Sequence, residues 1–130
     1  MADEIRVGGN IRLNRPGTSE FIERKFSNKS FDQTATVWTQ SVQNVVATGT
    51  GEALVLGDVT EATFGWAFFY NHDAAISVSV GDVVAAAFYP FLTLEAGEFA
   101  GPLRLSQSIT ALTAKAASST VNIEYLLIAD

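Results

Sequence analysis

The sequence has no cysteine, one histidine, one methionine and three prolines in 130 residues. The missing cysteine excludes disulfides, thiolate catalysis and cysteine-based zinc sites. With His72 the only histidine, a metal would need carboxylate ligands, and no D-x-[DN]-x-[DN]-G calcium loop is present. There is no P-loop, no G-x-G-x-x-G fingerprint and no G-x-S-x-G nucleophile elbow. No apolar run approaches the ~20 residues of a membrane span. The opening MADEIRVGG lacks the basic and apolar regions of a secretory signal. Neither membrane insertion nor secretion is expected, and cytosolic synthesis is the default.

Basic residues are scarce as well, and unevenly placed. Residues 1–30 carry six bases and four acids, a net of +2; residues 31–130 carry two bases and ten acids, a net of −8; together they give the net charge of −6. The acidic body repels nucleic acid phosphate. The N-terminal segment can instead seek an acidic surface. Aromatics cluster in the body and bases in the arm, so the interleaved pattern of a nucleic-acid face is missing.

What is present is β-type sequence. At 48% hydrophobic and 17% charged, the chain can build one domain's core. EIRVGGNIRL alternates around Gly8-Gly9, Pro16-Gly17 marks a turn, and EFIERKF is ambiguous. TATVWTQSVQNVVAT is rich in β-branched residues. EALVLG reads as a short strand, and GWAFFYN as an aromatic strand entering an Asn-His-Asp turn. ISVSVG alternates cleanly. VVAAAFYPFLTL is split or edged by Pro90, and SITALTAKAAS is a weak strand or one helical turn. STVNIEYLLIAD closes with Val121, Ile123 and Tyr125 on one face. Roughly eight to ten short strands, with turn signals about every 8–12 residues, predict an all-β antiparallel sandwich. Charge and pattern together set a segment 1–48, an arm or outer hairpin contacting neighbours or else ordinary strands of the same sheet, apart from a sandwich body 49–130.

His72-Asp73 invites a catalytic reading. Adjacent residues leaving a strand point apart, so Asp73 is badly placed to orient His72. His72 is expected to cap or line a turn. Glu95 and Glu98 flank Gly97 as solvated turn acids. A carboxylate hydrolase would need acids that converge only in the fold, and it ranks last. No catalytic residue, metal or cofactor is expected. The aromatics Phe64, Trp66, Phe68 and Tyr70 fall on one face of a strand, and Phe88, Tyr89 and Phe91 follow later. Most should be core. A small domain cannot bury two adjacent aromatic faces, so Trp66, Phe68, Tyr70, Tyr89 and Phe91 are candidates for contact between copies.

The ordered series Leu56-Gly57-Asp58-Val59, Gly65-Trp66, Asn71-His72-Asp73, Gly81, Tyr89-Pro90-Phe91, Ala96-Gly97-Glu98, Arg104-Leu105 and Glu124-Tyr125 resembles a family of small virion proteins of tailed bacteriophages. It covers about residues 50–130. Members look like jelly-roll decoration or cement proteins on the outer capsid surface. The resemblance implies that fold, no active site, and a partner in the major capsid protein. It implies a homo-oligomer, with a trimer on local threefold axes favoured and a dimer on twofold axes the other choice. It also implies that Arg6, Arg12, Arg15, Arg24 and Lys25 reach across acidic capsid surface. The chain would be made in the host cytoplasm and end on the virion. The competing reading is a tail-fibre or baseplate sandwich that binds a receptor or carbohydrate through exposed Trp38, Trp66 or Tyr70.

Overall fold

The computed structural model describes residues 5–14, 16, 17, 19, 21–31 and 37–130. The chain forms two compact units, residues 1–34 and 35–130. The first is a two-stranded antiparallel hairpin of β1 (Ile5–Asn14) and β2 (Phe21–Phe31), with Pro16 and Gly17 in its turn. Phe21–Phe26 of the ambiguous EFIERKF segment are therefore strand. The register shifts between Val7 and Gly9, where the paired glycines interrupt the alternation.

The second unit has eight strands: β3 (Trp38–Val46), β4 (Glu52–Ala53), β5 (Phe64–Asn71), β6 (Val78–Val84), β7 (Ala87–Leu94), β8 (Phe99–Arg104), β9 (Leu112–Ala116) and β10 (Thr120–Ala129). They form two four-stranded antiparallel sheets, ordered β3-β10-β5-β8 and β4-β9-β6-β7. The strands pair first with last: β3 with β10, β4 with β9, β5 with β8, β6 with β7. An eight-stranded ribbon folded back on itself in this way, with its strands dealt between two sheets, is a jelly roll. The expected antiparallel sandwich is the fold.

The domain boundary differs from the expectation. It falls after residue 34, not 48. The change of sequence pattern near Gly49-Thr50-Gly51 suggested the later position, but local pattern does not choose strand partners. The uncharged, β-branched segment Trp38–Val46 pairs along its whole length with β10, so it belongs to the sandwich.

The core lies between the sheets. Val45, Ala67, Phe69, Val121, Ile123, Tyr125, Leu127 and Ala129 face Leu54, Val78, Val80, Leu94, Leu112, Ala114 and Ala116. EALVLG, expected as a strand, pairs at Glu52 and Ala53, and the Leu54 N–H donates to the Leu112 carbonyl at 3.0 Å. Side chains help to hold the segment. The Val55 N–H donates to Gln43 Oε1 at 3.0 Å, Gln43 Nε2 donates to the Ala53 carbonyl at 2.9 Å, and Thr39 donates to the Leu56 carbonyl. The buried Tyr125 hydroxyl donates to the Val55 carbonyl at 2.8 Å.

Asn71 closes one end of the sandwich. It is fully buried, at the end of β5. Its Nδ2 reaches the carbonyls of Ile76 at 2.9 Å, Glu95 at 3.0 Å and Leu94 at 3.2 Å, while its Oδ1 accepts from the Asp73 N–H at 2.9 Å. One amide thus ties β5 to the β5–β6 turn and to the end of β7. Removing it leaves buried backbone groups without partners. Asn71→Ala should destabilise the sandwich by about 3 kcal/mol, read as a lower urea midpoint. The exposed Asn122→Ala should shift it by less than about 0.5 kcal/mol.

Candidate functional site

The outer face of the β3-β10-β5-β8 sheet carries the surface that a monomer has least use for. β10 alternates strictly, so Leu126 and Ile128 point away from the core. Register then builds rows across the sheet. Trp38, Ile128, Trp66 and Arg104 form one row, and Gln40, Leu126 and Phe68 the next. Val42, Glu124, Tyr70 and Phe99 follow, and Asn44 and Asn122 lie beyond them. Trp38 is 62% exposed, Val42 57% and Phe99 64%, whereas Trp66, Phe68 and Tyr70 are half-buried among their neighbours. Phe68 and Phe99 stack with centroids 5.8 Å apart, and the Arg104 guanidinium lies 5.7 Å from the Trp66 ring. Polar pairs stand at both ends of this face. Arg104 bonds Asp130, and His72 Nε2 lies 2.7 Å from Glu124 Oε1.

Two irregularities set these faces. Gly65 is an extra residue in β5, because Phe64 pairs with Ala129 and Trp66 with Ile128. A Cβ at Gly65 would lie 2.8 Å from the Ile128 carbonyl oxygen. This bulge turns Phe64 into the core, where it is 1% exposed. Phe64 therefore does not share the face of Trp66, Phe68 and Tyr70, as simple alternation had it. The second irregularity lies in β8. Three steps there oppose two in β5 between Ala67 and Phe69, and Gly101 lies against Phe68 with no room for a side chain. The bulge brings Phe99 onto the same face as Phe68.

Tyr89 and Phe91, the other two aromatic candidates, are also exposed. They lie on β7, in the opposite sheet. The five aromatics are not brought together: Trp66, Phe68 and Tyr70 form one surface, and Tyr89 and Phe91 belong to an edge strand elsewhere. Strand order separates them, and no periodicity within a strand reveals strand order.

The basic candidates lie on the hairpin. Arg6, Arg12, Arg24 and Lys25 are exposed there, and Arg15 lies outside the described residues. Arg12 pairs across the ladder with Glu23, and Arg24 with Ile11, so Arg12 and Arg24 point to opposite faces. Lys25 and Asn10 both reach Glu23, at 3.7 and 3.0 Å. The Arg12 guanidinium sits 4.3 Å over the Phe21 ring. One hairpin face thus carries Arg12 and Lys25 around Glu23 and Phe21, and the other carries Arg24.

His72 and Asp73 do not act together. Asp73 Oδ1 accepts from the N–H groups of Ala75 at 2.8 Å and Ile76 at 2.7 Å, which fixes the turn. His72 leaves the turn for Glu124 on β10, with its ring edge-on to Tyr70 at 4.5 Å. Glu98 likewise caps its own turn, accepting from the Glu95 N–H at 2.8 Å. Among the described residues no three of His, Asp and Glu are grouped to hold a metal.

The sequence reading missed the buried Asn71 and the half-buried Gln43 as polar fasteners. An Asn entering a turn looked like a turn residue, and a Gln in a polar strand looked like surface.

The backbone donors of Ala75, and next of Ile76, hold the Asp73 carboxyl below its ordinary range. A depressed carboxylate stabilises the fold above its unfolded pKa, and that contribution is lost as pH falls through the folded value. Wild type should therefore lead Asp73→Ala in urea midpoint at neutral pH. The gap should close as pH falls from about 5 to about 2. A gap independent of pH would show that the turn does not depend on the charge.

No family model, curated protein or solved structure matches this chain.

Proposed function

We propose that this chain is a non-enzymatic structural protein of a tailed-phage virion, decorating the capsid and cementing neighbouring capsid subunits. The observation that carries the reading is the division of the chain into a jelly roll and a separate hairpin of exposed bases. Jelly rolls serve in viral capsid and lectin domains among others, so the fold alone is an analogy. The hairpin adds to it. A lone two-stranded hairpin is marginally stable in water and gains from a surface to lie on. Residues 1–34 hold six bases and five acids (+1), and residues 35–130 hold two bases and nine acids (−7), which sum to −6. The arm alone is suited to an acidic capsid surface, and the body is not.

The hydrogen-bonded polar side chains of the sandwich serve its own architecture. Asn71, Gln43 and Tyr125 are engaged with backbone, and Asp73 and Glu98 with their turns. A cement protein needs a rigid body of this kind and an adhesive surface. A symmetric oligomer multiplies modest contacts by avidity.

The direct test is a cryo-EM map of the intact virion. Ordered copies across capsomer junctions support cementing, and density confined to a fibre or baseplate overturns it. On purified shells, the double reversal Arg12→Glu/Arg24→Glu should lower occupancy by about tenfold with the sandwich's circular dichroism unchanged. The single reversals then show which hairpin face touches the shell. Unchanged occupancy in the double variant removes the hairpin from the contact.

A second reading has its own observation. Trp38 and Trp66 are the protein's two tryptophans, they share one row of the outer sheet face, and Asn44 and Asn122 lie further along it. A tail-fibre or baseplate protein would stack sugar rings on such a platform. Saccharide titration followed by tryptophan fluorescence should then quench or shift emission, and Trp38→Ala should abolish the change.

A further inference from the structure

Each sheet of the sandwich has two edge strands, and three of the four are blunted against pairing. β4 is two residues long. β7 carries Pro90 and pairs with β6 through a register shift between Val80 and Gly81. β8 carries Pro102 and its own shift against β5. Short length, proline and bulges are the usual protections of an edge. β3 has none of them. It runs nine residues, its register with β10 is unbroken from Trp38↔Ile128 to Val46↔Thr120, and it contains no proline. Residues 33–51 contain no Lys, Arg, Asp or Glu. Among the described residues, no strand pairs with the other side of β3.

We propose that β3 is a pairing edge and that its partner is β3 of a second copy. The two strands add antiparallel about a twofold axis normal to the sheet, giving one continuous eight-stranded sheet.

The sequence of β3 fits itself. A twofold of this kind keeps the outer faces on one side, so facing residues must share parity and the axis must pass through a residue. Full overlap of Trp38–Val46 places it at Val42. The outer-face pairs are then Trp38 with Val46, Gln40 with Asn44, and Val42 with Val42. On the core side Thr39 meets Val45 and Ser41 meets Gln43. Aromatic with β-branched, amide with amide and β-branched with β-branched are all favourable cross-strand pairs, and no like charges meet. The arrangement also accounts for Trp38 and Val42, the exposed apolar side chains of this strand. A copy with net charge −6 repels another generally, and β3 adds no charge of its own to that repulsion. A twofold contact selects the dimer over the trimer. It concerns the chain in solution and stands whether or not the virion reading does.

Sedimentation of the full chain over a range of concentrations reads the association. Wild type should pass from monomer to dimer mass. Val42→Lys sets two ammonium groups face to face on the axis, while each has Glu124 beside it within its own copy. It should keep the wild-type circular dichroism and weaken the dimer by about tenfold. Because the chain has no cysteine, Val42→Cys introduces a single thiol that meets its own copy across the axis. On mild oxidation it should give a covalent dimer, whereas the loop variant Ser108→Cys should not. A wild type that stays monomeric overturns the proposal. So does association that Val42→Lys leaves intact, or a Val42→Cys chain that links no better than Ser108→Cys.

Discussion

The last strand sets the constraint on which both faces of the sandwich depend. β10 lies between β3 and β5 and alternates without a bulge through nearly its whole length. Val121, Ile123, Tyr125, Leu127 and Ala129 enter the core. Leu126 and Ile128 leave it and seat the aromatic rings of their neighbours. A one-residue slip of β10 would exchange the two sets, putting Glu124 and Asn122 into the core. The long pairing with β3 and the bulges in β5 and in β8 beyond it make sense in this light. β3 locks the register, and the irregularities at Gly65 and Gly101 place Phe64 inside and Phe99 outside without disturbing β10.

Apolar packing between sheets fixes their separation but leaves the ends of the sandwich to be closed. Here closure is polar. Asn71 joins three chain segments at one end, and Gln43, Thr39 and Tyr125 hold residues 53–56 where the β4 ladder runs out. Such groups are costly to bury unless each is bonded, and they specify a single arrangement because displaced geometry leaves donors unpaired. The loops at the Asn71 end are therefore anchored, and Asp73 and Glu98 reinforce them from outside.

The strands and turns were legible in the sequence because their signals are local. Alternation in ISVSV and VNIEY, the turn chemistry of Asn-His-Asp and Ala-Gly-Glu, and the absence of helix periodicity all act over a few residues. The misreadings arose where distant parts of the chain decide. Phe64 left its expected face because of a bulge set by β10. Tyr89 and Phe91 parted from Trp66 because strand order assigns β7 to the other sheet. The boundary moved from residue 48 to 34 because β3 pairs with a strand some eighty residues later. In the hairpin, the bases were visible as composition, but their division between two faces appears only once Arg12 is set against Glu23 and Arg24 against Ile11.

Charge is distributed so that different surfaces suit different partners. Residues 35–130 hold nine acids and two bases, a net of −7, which disfavours anionic partners. The hairpin, where bases are concentrated, and strand β3, which has no charge, depart from this balance. The first can be drawn to an acidic surface, and the second can approach its own kind. Exposed ion pairs contribute little one at a time, commonly 0 to about 1 kcal/mol each. A hairpin with a handful of exposed bases is thus a weak hook by itself. In the proposed dimer, two copies joined through β3 would carry two hairpins, and the second engagement would become intramolecular. Under the two proposals together, neutrality at the edge and basicity in the arm are complementary: the first would permit the assembly, and the assembly would multiply weak electrostatic contacts.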